Sequence, residues 1–597
     1  MKRRAPSKPR LLYDGDCRFC AYWVRYWQRL TGSKVEYRPY QEVLSEYPGL
    51  TAQECRRAVQ LIEPNGYYSA GAVASFRILA YGRYGIYAAI LRRSRLVTRI
   101  AEWGYTFVSR RRDYAGSAAR MFWGSERYPA QYDKASSIFV RAIALVYFAA
   151  FVSLALQITA LIGSGGILPV ERYFNAITLT VPSGAWWRYP SLFWVANGDP
   201  RLVAGCLTGA AAALVVAAGF LQIPLLIACY LLYLSLFTAG QVFMGYQWDL
   251  LLLEAGFLAV FLPLRTAIVP WLFRLLLFRF MILSGCVKLL SGDPSWAALS
   301  ALDFHYETQP LPTPLAWYAH QLPALFDRLC ITATFVIELA FPFLIFTARR
   351  PRMLAAVGFV LLEIGILLTG NYNFFNILTI ALCLFLIDDQ QFRRSQDFTV
   401  RRSHRSAMPV RMLVTATAFV IVLHNIYFLA RPFVRSDMPK LMTQILSPFI
   451  PFRIVNGYGL FAVMTTTRPE IIVQGSNNGR DWAVYEFRYK PGDPSYALRW
   501  NIPHQPRLDW QMWFAALSTA DRAPWFSNFL LRLLQNSSDV TALLRHNPFA
   551  EKPPRYVRAL LYDYRYSTVE ERKRTGEIWQ RRALGMYYPA VNLPWID

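Results

Sequence analysis

Long apolar runs alternate with short polar turns through the middle of the chain, and neither end follows that pattern. The runs recur at 142–162, 202–220, 221–243, 250–264, 267–290, 329–346, 354–368, 374–387 and 412–430. A helix needs about 20 apolar residues to cross a bilayer, so these runs predict a helical bundle of about nine spans, several of them short. Ahead of the bundle, 11–13, 35–40 and 58–63 read as strands; one helix starts near Cys17 and runs through Trp23, Trp27 and Leu30, and another starts at Gly71. Beyond Arg431 no long apolar run remains. There 458–464 and 470–474 alternate like strands, and Ser476-Asn477-Asn478-Gly479 is a hairpin turn before a strand over 482–489. A helix capped by Asp509, a second helical stretch over 525–534 and 540–544, and a returning strand within 547–564 complete that end. The predicted architecture is multi-domain: an α/β domain over 1–115, a linker at 116–136, a polytopic α-helical membrane domain over 137–430, and a β-rich C-terminal domain with added helices over 431–597.

Composition agrees with that division. With 54% hydrophobic and 16% aromatic residues among 597, the chain is too apolar for an ordinary soluble protein. Its net charge of +26 would suit nucleic acid, but the arginines cluster beside apolar runs, without zinc-finger spacing or a Walker loop. Membrane lipid is the expected partner, and nucleic acid is not. Seven arginines lie between Arg92 and Arg112, three more are Arg349, Arg350 and Arg352, and the stretch from Arg393 to Arg411 is also basic. The N-terminal MKRRAPSKPR leads only into LLY before Asp14, so no signal-peptide run holds the first domain back from the cytoplasm. With that end cytoplasmic, nine crossings put all three basic clusters on the cytoplasmic side. The loops 163–201, 245–249, 291–327 and 370–373, and everything past Arg431, then face the other way.

Candidate chemistry begins with Cys17 and Cys20 in LLYDGDCRFC. At a helix start, unpaired amides and the helix dipole favour the thiolate of the first cysteine, and the second can resolve a mixed disulfide. Arg18 should help, whereas Asp14 and Asp16 oppose. The same pair also reads as a reduced, inert one; half of a zinc site is disfavoured because only Cys55 is spare nearby. In the bundle, Gln247, Trp248 and Asp249 sit at the outer edge of a span that carries Glu254 one turn inside. Arg274, Arg279 and Lys288 on the following span face three intramembrane acids, Glu254, Glu338 and Glu363, and depth suggests pairing Lys288 with Glu254. The next loop concentrates Asp293, His305, Glu307 and Gln309, and the C-terminal domain offers His504, Arg507, Asp509 and Trp510. The last group reads as a buried network bracing helix to sheet, with Trp510 either a core residue or part of a client surface. No GxSxG elbow is present, and neither a cofactor nor a metal is expected.

Two resemblances follow from these strings. DGDCRFC and the elements around it, over roughly 8–115, resemble the DCC family of thiol-disulfide oxidoreductase-like proteins, which implies a thioredoxin-like fold. The chain departs from thioredoxin before the third strand, where Glu54-Cys55-Arg56-Arg57 stands without proline. GSGGILPV at 163–170, QWDLLLLEAGF at 247–257, the block 284–318, TGNYNFFN at 369–376, NGYGLFAVMTTTRPEI at 456–471 and HQPRLDWQMWFAAL at 504–517, with NPF and PPRYVRA beyond, resemble the lipase maturation factor family over roughly 137–597. That resemblance implies a multi-pass protein of the bacterial inner membrane or the endoplasmic reticulum, assisting the folding of secreted clients, lipases among them, with its C-terminal domain periplasmic or lumenal. The rival reading is a membrane-bound redox or carboxylase-like enzyme using Cys17 and Cys20 or the intramembrane charges. A transporter is a third, which internal inverted repeats would favour.

Overall fold

A computed structural model of the chain describes residues 5–82, 89, 93–181, 183–195, 197–392, 407–434 and 439–593. Much of the third basic cluster, 393–406, therefore lies outside the described residues. The chain divides into two compact units, one of residues 1–132 with 346–354 and 387–404, the other of the remainder.

The first unit is a mixed α/β domain. Its four-stranded sheet runs in the order Glu36–Pro39, Arg10–Tyr13, Gln60–Ile62, Tyr68–Ala70; the first pair is parallel and the others antiparallel. Side chains alternate across a strand, and here adjacent leucines serve two cores. Leu11 packs with Val24, Trp27, Leu61 and Ile78 on one face, and Leu12 packs with Tyr40, Val43, Tyr47 and Ile62 on the other. The helix Arg18–Thr31 follows the Asp14–Asp16 turn as expected, with Cys17 as its N-cap, and stops at Gly32, whose φ of +57° favours glycine.

Among the described residues, six helices are long and apolar enough to cross a membrane: Asp133–Ala155, Asp199–Ala218, Gln222–Ala239, Gln247–Leu264, Arg349–Thr369, which begins in the first unit, and Met408–Ala430. The other three predicted runs differ from these in charge or in regularity. The run at 267–290 is one helix, Ile268–Leu290, carrying three cations. The run at 329–346 is Ala324–Phe335 and Phe341–Leu344 joined through a wider π turn, Val336–Ala340. The run at 374–387 is Phe375–Leu382 tightening into Cys383–Leu386.

The C-terminal region is β-rich. An antiparallel sheet runs Trp579–Val591, Tyr556–Tyr566, Arg468–Ser476, Ala483–Val484, and a smaller one pairs Glu486–Phe487 with Leu544–His546. The hairpin at Ser476–Gly479 forms as predicted: the Ser476 hydroxyl accepts from the Asn478 and Gly479 amides, and Gly479 takes φ +74°. Two expectations change. The strand expected over 482–489 is split between the two sheets. No strand forms over 458–464, because that segment lies against the apolar helices: Tyr458 packs edge-on to Phe280, and the Met464 amide donates to Asp293.

Candidate functional site

The thiol pair is built by the helix start. The Cys20 amide donates to Cys17 Sγ at 3.2 Å, and the Cys20 thiol donates to the same sulfur at 2.6 Å. That thiol hydrogen bond, then the amide and the charge of Arg112, bring Cys17 down to about 6 against the opposing effects of burial and Asp14. Cys20 moves up, because its proton is the one shared and it is buried. The guanidinium acting on Cys17 comes from Arg112, about a hundred residues downstream, not from the neighbouring Arg18 expected to help. Arg112 also donates to the Arg57 carbonyl at 2.9 Å. Asp14 and Asp16 are drawn together by Gln41 Nε2, at 3.0 and 3.2 Å. Alkylation of Cys17 by iodoacetamide in the intact protein should thus rise with pH through a midpoint near 6 and level off above it. In Cys20→Ala the midpoint should move toward the ordinary thiol value of about 8.5; an unchanged midpoint would show that Cys20 does not set it.

The other predicted residues meet along a seam between the apolar helices and the C-terminal region, all within the second unit. Asp249, in the first turn of its helix, is fully buried and receives Arg507 in a two-pronged pair, Nη2 to Oδ1 at 2.8 Å and Nη1 to Oδ2 at 3.0 Å. Tyr233 Oη donates to Asp249 Oδ1 at 2.5 Å, and Arg507 also donates to the Phe243 carbonyl at 2.6 Å. Around this pair, Trp510 meets Trp248 edge-on with ring centres 4.7 Å apart, and Tyr246 stacks on Trp248 at 4.4 Å. Trp510 is therefore a core residue. His504 and Arg507 are joined through Ser153 and Gln157, whose Oε1 accepts the Arg507 amide at 3.0 Å and whose Nε2 donates to the Ser153 carbonyl at 2.7 Å, while Asp509 bonds elsewhere. His504 Nδ1 lies 2.9 Å from Ser153 Oγ, and burial followed by Arg507 and Arg488 pushes it down to about 4. Asp509 is not the helix cap, which is Pro506; its Oδ1 accepts from the Tyr489 and Lys490 amides, both at 2.9 Å, and burial raises it.

The expected Lys288–Glu254 pair is not formed. Glu254 takes Arg279 and also accepts from the Asn456 amide and Tyr458 Oη, each at 2.9 Å. Lys288 Nζ bonds both oxygens of Glu338 at 2.7 and 2.8 Å. The reason is pitch: nine residues separate Arg279 from Lys288, about 13 Å along a helix, so only Arg279 lies level with Glu254. The π turn Val336–Ala340 carries Glu338 to Lys288, and Gly285, one turn away, leaves the room; a Cβ there would stand 2.7 Å from Leu339 Cδ2. The third acid, Glu363, accepts from Asn376 Nδ2 at 2.7 Å, and Arg274 donates to the Phe385 carbonyl at 2.8 Å.

The loop residues extend the seam. Asp293 caps the short helix Pro294–Ala297 with Oδ1 and accepts the Met464 amide at 2.6 Å with Oδ2. His305 packs edge-on to Phe461 at 5.1 Å; burial, then Lys288, pushes it down to about 4. Glu307 accepts the Tyr566 amide at 2.9 Å, Gln309 donates to the Thr369 carbonyl at 2.8 Å, and Gln247 exchanges hydrogen bonds with Gly459 at 3.3 Å. Tyr372 links the groups, bonding Gln309 through Oη and lying 5.8 Å from Trp510 and 5.6 Å from Phe461. Sequence reasoning missed Arg468, a fully buried arginine that donates to the carbonyls of Glu307, Gln309 and Pro310 and pairs with Glu470 at 2.8 Å. Its signal was available: Arg468 and Glu470 stand two apart on a strand, hence on one face. Among the described residues no group of three or more His, Cys, Asp or Glu side chains could hold a metal. The seam's acids are met by donors from both sides, an arrangement suited to holding two regions together.

Comparison with known proteins matches each region. The sequence model for the lipase maturation factor transmembrane domain covers residues 134–394, that for the lipase maturation factor C-terminal domain 454–589, and that for a DCC1-like thiol-disulfide oxidoreductase 11–117. The chain is 36% identical to lipase maturation factor 2 of Gallus gallus, over 76% of this chain and 81% of that protein. It is 34% identical to lipase maturation factor 2 of Homo sapiens, over 76% and 82%, and to lipase maturation factor 1 of Mus musculus, over 81% and 90%. No solved structure matches it. On this evidence the chain belongs to the lipase maturation factor family and carries a DCC1-like thiol-disulfide oxidoreductase domain at its N-terminal end.

Proposed function

We propose that this protein assists the folding of secreted proteins, with lipases as the client class, from a membrane platform whose C-terminal domain meets the client. The observation that carries this reading is the Asp249–Arg507 pair, which joins the two family regions. A domain anchored by buried charge at the bundle's edge is a fixed surface for a client, where a flexible tether would let it swing free. Deleting the gene should lower the specific activity of a secreted lipase while its protein level holds; unchanged specific activity would contradict the proposal.

The topology we propose has nine crossings, a cytoplasmic thioredoxin-like domain and a periplasmic or lumenal C-terminal domain. It is supported by the basic clusters at Arg92–Arg112, Arg349–Arg352 and Arg393–Arg411 falling on one side under that count. A membrane-impermeant maleimide should then reach Cys17 only in broken membranes and a cysteine placed at Ala590 in intact ones; the opposite pattern would reverse the scheme. A separate thiol activity of the N-terminal domain is favoured by one observation, the lowered Cys17.

A further inference from the structure

The helix Arg95–Ser109 of the first unit has two unlike sides. Glu102 accepts the Val73 amide at 3.0 Å and Tyr105 Oη accepts the Val59 amide at 3.1 Å, so this side is fastened to the domain. On the other, Leu96, Ile100, Trp103 and Phe107 are 69%, 59%, 72% and 50% exposed. At about 100° per residue these four fall within about 60° of one another. They form a continuous apolar stripe three turns long, with Trp103 stacked on Phe107 at 5.9 Å. Tyr114 and Met121, two turns apart on the next helix, Arg112–Trp123, are also exposed.

The charges beside the stripe are positive. Arg95, Arg99, Arg110 and Arg111 are exposed, and Arg111 lies 4.3 Å above the Phe107 ring. At the C-terminal end of the helix a cleft of about 310 Å³ is lined by Arg56, Arg57, Arg110 and Arg112 with Thr106 and Ser109. Arg112 is engaged with the Arg56 and Arg57 carbonyls, Arg56 Nε with Tyr40, and the Ser109 hydroxyl with the Thr106 carbonyl, so Arg57, Arg110 and the outer nitrogens of Arg56 are the donors the cleft offers to phosphate oxygens. An exposed apolar stripe flanked by arginines is the pattern of a helix lying in the plane of an anionic membrane surface. In sequence, one further helix, Arg112–Trp123, stands between this helix and the first apolar helix, Asp133–Ala155.

We propose that Arg95–Ser109 is an interfacial helix that seats the N-terminal domain on the membrane, its stripe among acyl chains and the arginine cleft on the phosphate headgroup of an anionic phospholipid. This goes beyond the maturation reading and does not depend on it. The test uses the full chain reconstituted in vesicles of phosphatidylcholine, with or without phosphatidylglycerol, and a benzophenone side chain placed at Ile100 or, separately, at Trp103. Both positions should give lipid adducts, several-fold more with phosphatidylglycerol present. Arg56→Gln or Arg110→Gln should each lower the yield about fivefold. A Cys17 alkylation midpoint equal to that of the parent chain in the same vesicles reports that the domain remains folded in each preparation. Adducts to a second copy of the chain, or to the same chain, would overturn the proposal, and so would lipid adducts indifferent to phosphatidylglycerol. The lipid comparison needs no arginine substitution, so it decides even if those variants misfold.

Discussion

Arg507→Met is expected to remove most of the folded protein from the membrane. It would leave the fully buried Asp249 carboxylate with Tyr233 as its described donor. Breaking a buried pair by deleting one partner costs about 3–5 kcal/mol, roughly two to three and a half orders of magnitude in the folded population and comparable with a domain's whole stability. Arg507→Lys should fall between, because an ammonium cannot reproduce the two-pronged geometry or reach the Phe243 carbonyl at the same time. Asp249→Leu combined with Arg507→Met should recover part of the loss, since an apolar pair leaves no charge stranded. The measurement is the yield of monodisperse protein in mild detergent with its thermal midpoint. An Arg507→Met protein as abundant and as stable as the parent would show that the pair does not join the two regions.

The second large effect concerns which intramembrane charges are partners. Lys288→Met and Glu338→Gln should each lower folded yield strongly, and the double substitution should cost clearly less than their sum. Arg279 and Glu254 should behave in the same way. Lys288→Met with Glu254→Gln should instead be additive to within about 0.5 kcal/mol, because the two residues share no partner. Coupling between Lys288 and Glu254, with none between Lys288 and Glu338, would overturn the assignment.

That difference marks where sequence reasoning reached its limit. The motif strings located the seam: Asp249, Glu254, Asp293, Gln309 and Arg507 were singled out, and the structure brings them to one zone. Partners were harder to read. Choosing between Glu254 and Glu338 for Lys288 requires the depth and rotation of three helices, and the π turn that delivers Glu338 leaves no mark in the hydrophobic pattern. Arg112 was beyond reach for the same reason, since a tertiary contact brings it to Cys17 while Arg18 merely adjoins it in sequence. The segment 458–464 shows the opposite failure. Its alternation was real, but alternating residues need only one buried face, and here the apolar helices supply that face in place of a sheet. The long edge strand Trp579–Val591 went unseen because an arginine pair, Gly585 and Pro589 interrupt its period, and the pairing absorbs them with shifts of register after Ala583, Met586 and Tyr588. The local elements were legible: the helix capped by Cys17, the Ser476–Gly479 hairpin and the Pro524–Leu534 helix each depend on neighbours in sequence.

The central claim is that maturation of a secreted client depends on the membrane platform and the C-terminal domain, and not on the thiol pair. In the proposed topology Cys17 and Cys20 lie across the bilayer from the client. The direct measurement is the specific activity of a secreted lipase from deletion cells carrying either the parent chain or Cys17→Ser with Cys20→Ser, at matched lipase protein level. The double-serine chain should restore activity to the parent level. A loss equal to full deletion would contradict the account and make the thiol pair the agent of maturation.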